Sequence, residues 1–225
     1  MNSGRKFDVK MFVVLAMLSA VAYILASLIR IPLVPAVGFL GYEPKDVVLV
    51  IAGFIYGPVA PLVMAVVISL LEGVTTSVLG PVGIPMNFIA SVSFACTASF
   101  IYKKRKTIAG AGIGLGVGVI VTTVVMLLWN YALTPILMGM PRAAVVQLLV
   151  PGFLPFNIIK GALNASIALL LYKPVRKALG RSGLLPVSGD SKAARASKVS
   201  VGVILVALFV ILTCAFVVLS WQGVI

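Results

Sequence analysis

Histidine is absent from this 225-residue chain, and acids are nearly so: Asp8, Glu43, Asp46, Glu72 and Asp190 are its only carboxylate side chains. Hydrolysis and group transfer generally draw on a general base, a metal cluster or an activated nucleophile. Only Asp46 and Glu72 stand near long apolar runs, and they form no recognisable metal motif. The serines occupy no G-x-S-x-G turn. No G-x-x-x-x-G-K-[ST] loop is present, so the chain is not expected to hydrolyse ATP by itself. Enzymatic function is therefore not expected. The two cysteines, Cys96 and Cys214, lie in separate apolar runs and suggest neither a disulfide framework nor a zinc site. Charge of any sign is scarce, at 10% of residues, against 61% hydrophobic. Mean hydropathy is +1.20. Such values lie well outside the range of soluble domains and indicate a polytopic membrane protein.

The net charge of +13 resides in basic clusters between apolar spans rather than in an aromatic-studded groove, so no nucleic-acid partner is expected. Runs long enough to span a bilayer fall at 11–29, 46–71, 84–102, 112–133, 148–172 and 199–219. The first lacks a small-residue cleavage site and reads as a retained helix rather than a signal peptide. The second is either one tilted helix or two short helices broken at Gly57-Pro58. As two helices, it puts Lys103-Lys104-Arg105-Lys106 on the same side as Arg5, Lys6, Lys10, Lys173, Arg176, Lys177 and Arg181. The positive-inside tendency favours that solution, and Gly-Pro supplies the break. Only Arg30, Lys45 and Arg142 then remain on the outer side. The expected organisation is an all-α membrane protein with three parts. Residues 1–178 form a six-helix core with both ends in the cytoplasm, residues 179–198 a polar linker, and residues 199–225 an extra transmembrane helix with an extracellular carboxyl end. The two short helices are below spanning length and need protein or a cavity around their ends. Alternate glycines from Gly110 to Gly118 suit close helix packing.

Lys160 stands inside the apolar run Leu154-Pro155-Phe156-Asn157-Ile158-Ile159-Lys160-Gly161. A lysine at mid-membrane costs about 3 kcal/mol, which marks it as a candidate functional residue. Asn157 precedes it by one turn on the same helix face. The plain alternative is a lysine that snorkels to the interface. Other polar and aromatic groups fall toward the same outer half: Tyr42, Glu43, Lys45 and Asp46; Glu72, Thr75, Thr76, Met86 and Asn87; Trp129, Asn130 and Tyr131. A small-molecule site needs apolar walls with a few placed hydrogen-bonding groups. Amides both donate and accept, while methionine and aromatic side chains can sandwich a flat ring. Each group also has a structural alternative. Trp129 and Tyr131 suit an interfacial belt, Asn87 a helix start, and Asp46 reads best as a helix cap. Glu72 is a structural partner for Lys45 or Lys160. In the first helix, Ala16-x-x-x-Ala20 and Ala22-x-x-x-Ala26 form small-residue stripes that admit another helix, from within the bundle or from a partner.

The Phe156-Asn157-x-x-Lys160-Gly161 run, Asn130-Tyr131 followed by Thr134-Pro135, Gly53-Phe54-Ile55-Tyr56-Gly57-Pro58 and the Ala16-x-x-x-Ala20 stripe together resemble the substrate-binding S components of energy-coupling factor (ECF) vitamin transporters. The likeness is nearest to their riboflavin-specific branch and covers about residues 8–178. It implies a six-helix S-component bundle that captures a vitamin with high affinity. It also implies an ECF transmembrane coupling subunit and two cytoplasmic ATPases as partners in the cell membrane. By the same resemblance Asn130, Asn157 and Lys160 contact the flavin, and Ala16 and Ala20 dock on the coupling subunit. Glu43, Met86 and Asn87 join the candidate ligand set by location. Riboflavin is then a transported ligand, and no cofactor or metal is expected. Another heteroaromatic vitamin or precursor is the alternative ligand. A self-contained carrier or lipid-modifying enzyme is the alternative class. The span at 199–219 has no counterpart in the family core.

Overall fold

The computed structural model of the protein describes residues 9–76, 80–181 and 201–223. Helix α1 (Val9–Leu28) leads into a loop holding a two-residue antiparallel ribbon, β1 (Ile31–Pro32) and β2 (Gly41–Tyr42), around a 3₁₀ turn at Pro35–Val37. Then come α2 (Lys45–Tyr56), α3 (Val59–Thr75), α4 (Gly83–Arg105), α5 (Ile108–Met138) and a short α6 (Arg142–Leu148). A π-helical turn, Leu149–Phe153, joins α6 to α7 (Leu154–Arg181), and α8 (Val201–Trp221) follows. The chain is thus an all-α membrane protein, with α1–α5 and α7 as a six-helix core and α8 as an additional helix.

The second apolar run is two helices. Gly57 adopts φ 98°, a conformation open to glycine, and Pro58 cannot extend the backbone ladder. Lys45, at the start of α2, reaches Glu72, near the end of α3, so the break reverses the chain. At 12 and 17 residues these helices rise only about 18 and 25 Å, short of the roughly 30 Å hydrocarbon core. Every residue of α2 except Ile55 is buried, so protein on all sides shields its ends, as a short membrane helix requires.

Helix α5 begins at Thr107, whose hydroxyl accepts the Gly110 N–H at 2.9 Å and satisfies one free helix-start donor. The alternating glycines of α5 resolve into two faces. A side chain at Gly114 would meet the Ala98 carbonyl oxygen of α4 at 2.7 Å, whereas Gly112 and Gly116 face open space. Only every fourth glycine therefore serves the α4–α5 contact.

At one end of the bundle, Phe54, Tyr102 and Tyr172 pack together, with Phe54 tilted on Tyr102 and Tyr172 edge-to-face with both. The Tyr102 and Tyr172 hydroxyls are 2.6 Å apart. The 103–106 cluster and the basic end of α7 thus share this pole with the Gly57-Pro58 turn. The opposite pole gathers the ribbon loop, the starts of α2, α4 and α7, and the end of α5. Helix α8 lies against α7, and Gln222, just past its end, donates to the Pro32 carbonyl at 2.6 Å. Its carboxyl end therefore stands at the ribbon pole.

Two elements escape the sequence pattern. Helix α6 is too short to show a period, and the ribbon is only two residues deep. Helix α7 runs to Arg181, beyond the boundary expected at 178; most of the expected linker lies outside the described residues.

Candidate ligand-binding site

At the ribbon pole a cavity of about 40 Å³ is lined by groups from four segments. The loop before α2 supplies Arg30, Phe39, Leu40, Gly41 and Glu43. Helix α4 supplies Met86, Asn87 and Ala90; α5 supplies Met126 and Asn130; α7 supplies Phe156, Asn157 and Lys160. All six candidate ligand residues, Glu43, Met86, Asn87, Asn130, Asn157 and Lys160, are therefore brought to one cavity. A second cavity of about 20 Å³ is lined by Asp46, Ala90, Phe94, Thr122, Asn157, Lys160, Gly161 and Asn164. It shares Ala90, Asn157 and Lys160 with the first, so the two adjoin.

The π-helical turn ahead of α7 has a local role here. Asn157 donates its amide to the Phe153 carbonyl at 2.7 Å, one turn back across the junction between π and α geometry. Such turns recur at functional sites. On α5, Asn130 donates to the Met126 carbonyl at 2.7 Å and accepts from the Thr134 hydroxyl at 2.9 Å. These bonds fix both amides, which are almost fully buried, at the cavity wall.

Two ionic networks flank the cavity. In the first, the Lys45 ammonium, 1% exposed, lies 3.0 Å from Glu43 and also bonds Glu72. Asn87 donates to the same Glu72 oxygen at 3.1 Å, and Arg30 approaches Glu43 at 3.8 Å. Two cations thus balance two carboxylates, the condition for keeping charge out of water. In the second, Asp46 accepts the Ser91 hydroxyl at 2.5 Å and the Asn164 amide at 3.4 Å, and faces Lys160 at 3.7 Å.

Three readings are corrected. Asp46 does not cap α2, because Pro44 holds the cap position; its carboxylate instead ties α2 to α4 and α7. Asn87 does not start a helix, since α4 begins at Gly83. Lys160 is held by an acid rather than reaching for the interface. Tyr131 is half-exposed beneath the Arg142 guanidinium, and neither it nor Trp129 lines the cavity.

Buried oxygens of Thr122 and Asn164 have no hydrogen-bond partner among the described residues, and both residues line the smaller cavity. A water or a polar ligand atom there would serve both. Tyr42, in the loop, is also buried; burial, then the Asp46 charge, pushes its phenol well above the usual range, so it stays neutral. Among the described residues no cluster of three or more His, Cys, Asp or Glu groups stands ready for a metal. Arg30, Phe39, Met126 and Phe156 were not foreseen as lining. Met126 and Phe156 carried one signal, a position one turn from Asn130 and directly beside Asn157.

Fold and site together define a membrane-embedded binder of a small, partly polar molecule. The family model for the substrate-specific component of ECF transporters matches residues 10–172. The chain is 35% identical over 190 residues to the riboflavin transporter RibU of Staphylococcus aureus, covering 80% of this chain and all of that one. It is 31% identical over 176 residues to the riboflavin transporter FmnP of Bacillus subtilis, covering 73% of this chain and 90% of that one. A solved S component of a bacterial ECF transporter superposes with a TM-score of 0.65 at 36% identity, over 76% of this chain and 97% of that one. The chain belongs to the S components of ECF transporters. It is a transport subunit in a membrane, not an enzyme, and members of this family work with an energy-coupling module.

Proposed function

We propose that this chain is the riboflavin-capturing S component of an ECF uptake system in the cell membrane. The observation that carries the reading is the convergence of Asn130, Asn157 and Lys160, with Glu43, Met86 and Asn87, on one cavity. Two buried amides and an ammonium match the alternating acceptors and donors of the flavin pyrimidine edge. Met86, Met126, Phe39 and Phe156 offer apolar faces for the ring system. The cavity holds about 40 Å³, far below the roughly 300–1,000 Å³ typical of small-molecule sites. Ligand entry therefore requires a wall to move. The ribbon loop is the wall built from the fewest residues of regular structure, so it is the part that opens.

The basic pole faces the cytoplasm and the ribbon pole the exterior, by the positive-inside tendency. The partners are then a transmembrane coupling subunit and two cytoplasmic ATPases. Ala16 and Ala20 are exposed on α1, whereas Ala22 and Ala26 are buried in the bundle. The outer stripe lets a coupling helix approach closely, and α8, on the α7 side, leaves it open.

The deciding experiment is the absorbance spectrum of detergent-purified protein from vitamin-replete cells. Flavin bands released on denaturation at about one per chain are expected, as for a single enclosed site. A colourless preparation that also leaves riboflavin fluorescence unquenched removes riboflavin and leaves an S component for another heteroaromatic vitamin.

A further inference from the structure

Helix α8 lies beyond residues 10–172, the part of the chain that the family model matches. It does not stand apart as an anchor. Ala207 and Val218 are buried, at 2% and 7% exposure. Val218, with Cys214 and Val217 beside it, belongs to the apolar cluster that joins Leu33, Val34, Val37, Leu40 and Tyr42 of the loop covering the cavity to Val145, Phe153, Phe156 and Ile159. The Gln222 amide then donates to the Pro32 carbonyl. Pro32 pairs across the ribbon with Gly41, and Gly41 lines the cavity. One strand pair thus separates the end of α8 from the ligand chamber.

We propose that α8 is a brace on the cavity roof, with Gln222 and Val218 as positioning residues that slow ligand release. The physical reason is simple. A roof of two-residue strands carries few hydrogen bonds of its own, and short isolated ribbons are marginally stable. An apolar contact and a carbonyl clamp from a membrane-anchored helix raise the cost of lifting it. The roof has to lift for ligand to leave as well as to enter, so the brace slows both steps.

The proposal rests on the cavity being the ligand site, and the test separates the two. Full-length protein in nanodiscs is compared with Gln222→Glu, Val218→Ala and the outward-facing control Leu212→Ala. Gln222→Glu keeps the side-chain shape but removes the donor that Pro32 needs. Amide hydrogen exchange across the loop from Ile31 to Tyr42, measured without ligand, is expected to speed up in the first two variants and not in the control. Riboflavin release, followed by recovery of its fluorescence, is expected to accelerate about two- to tenfold, the scale of one hydrogen bond, and association to accelerate with it. Unchanged exchange in both roof variants overturns the brace. Faster exchange with unchanged release overturns its control of the ligand. An equal effect of Leu212→Ala reduces α8 to general stabilisation and also overturns the proposal. If wild-type protein does not bind riboflavin, the ligand reading fails and the release role with it, while exchange still judges the brace.

Discussion

Lys45 has two carboxylates within reach and almost no contact with water. Removing Glu72 by Glu72→Ala leaves a buried ammonium with Glu43 alone, and stranded buried charges cost about 3–5 kcal/mol. Since Glu43 stays at 3.0 Å, the low end of that range is expected, read as a drop in thermal midpoint in detergent. Lys45→Met combined with Glu72→Leu removes both charges and is expected to recover much of the loss; a double variant as unstable as the single one would contradict this account. At the cavity, Asn157→Ala and Lys160→Ala are each expected to weaken riboflavin binding by about 1–3 kcal/mol, the worth of a buried hydrogen bond. Titration by fluorescence quenching checks this, and full affinity in the double alanine variant would remove both residues from the site. Lys160→Ala also leaves Asp46 with only Ser91 and Asn164, so its folding midpoint has to be measured alongside.

Helices set which side chains meet which medium. On α1, the two alanine stripes look alike in sequence, yet one faces the bundle and the other faces away. Ala16→Leu with Ala20→Leu is therefore expected to abolish vitamin uptake by the assembled transporter while leaving binding by the isolated subunit intact. Loss of binding in that variant would mark the outer stripe as part of the packing instead. The α2–α3 pair shows the same principle in reverse. Its length alone cannot tell one tilted helix from two, but the φ that Gly57 adopts and the return of Glu72 to Lys45 make it a reversal.

The whole molecule sorts its charge by pole. Lys103, Lys104, Arg105, Lys173, Arg176, Lys177 and Arg181 lie toward one end, and the paired cations Arg30, Lys45 and Lys160 toward the other. Cytoplasmic retention of the first group predicts a defined labelling pattern in a Cys96→Ser, Cys214→Ser background. Arg142→Cys is expected to react with a membrane-impermeant maleimide in intact cells, and Lys104→Cys only after permeabilisation. The reverse pattern would invert the topology and place the cavity on the cytoplasmic side. A reporter fused after Ile225 is expected on the outer face, because α8 ends at the ribbon pole.

Class, span positions and the Gly57-Pro58 break were legible in the residues themselves, because apolar run length and glycine-proline chemistry act locally. Asn130, Asn157 and Lys160 were legible as polar intrusions in apolar runs, where burial demands a reason, whereas Glu43, Met86 and Asn87 joined them by location. Their convergence on one cavity was not legible, since Glu43 and Lys160 meet there only through the packing of α2, α4 and α7. Asp46 shows the limit most plainly. Its position in the first turn of α2 suggests a cap, but its partners, Ser91, Lys160 and Asn164, come from two other helices far along the chain. Local sequence determined which runs are apolar enough to span a membrane and where the second of them breaks. Tertiary structure alone decided which buried charges neutralise one another, which alanine stripe stays open, and that the last helix returns to the roof of the site, because each depends on distances between elements that no local pattern encodes.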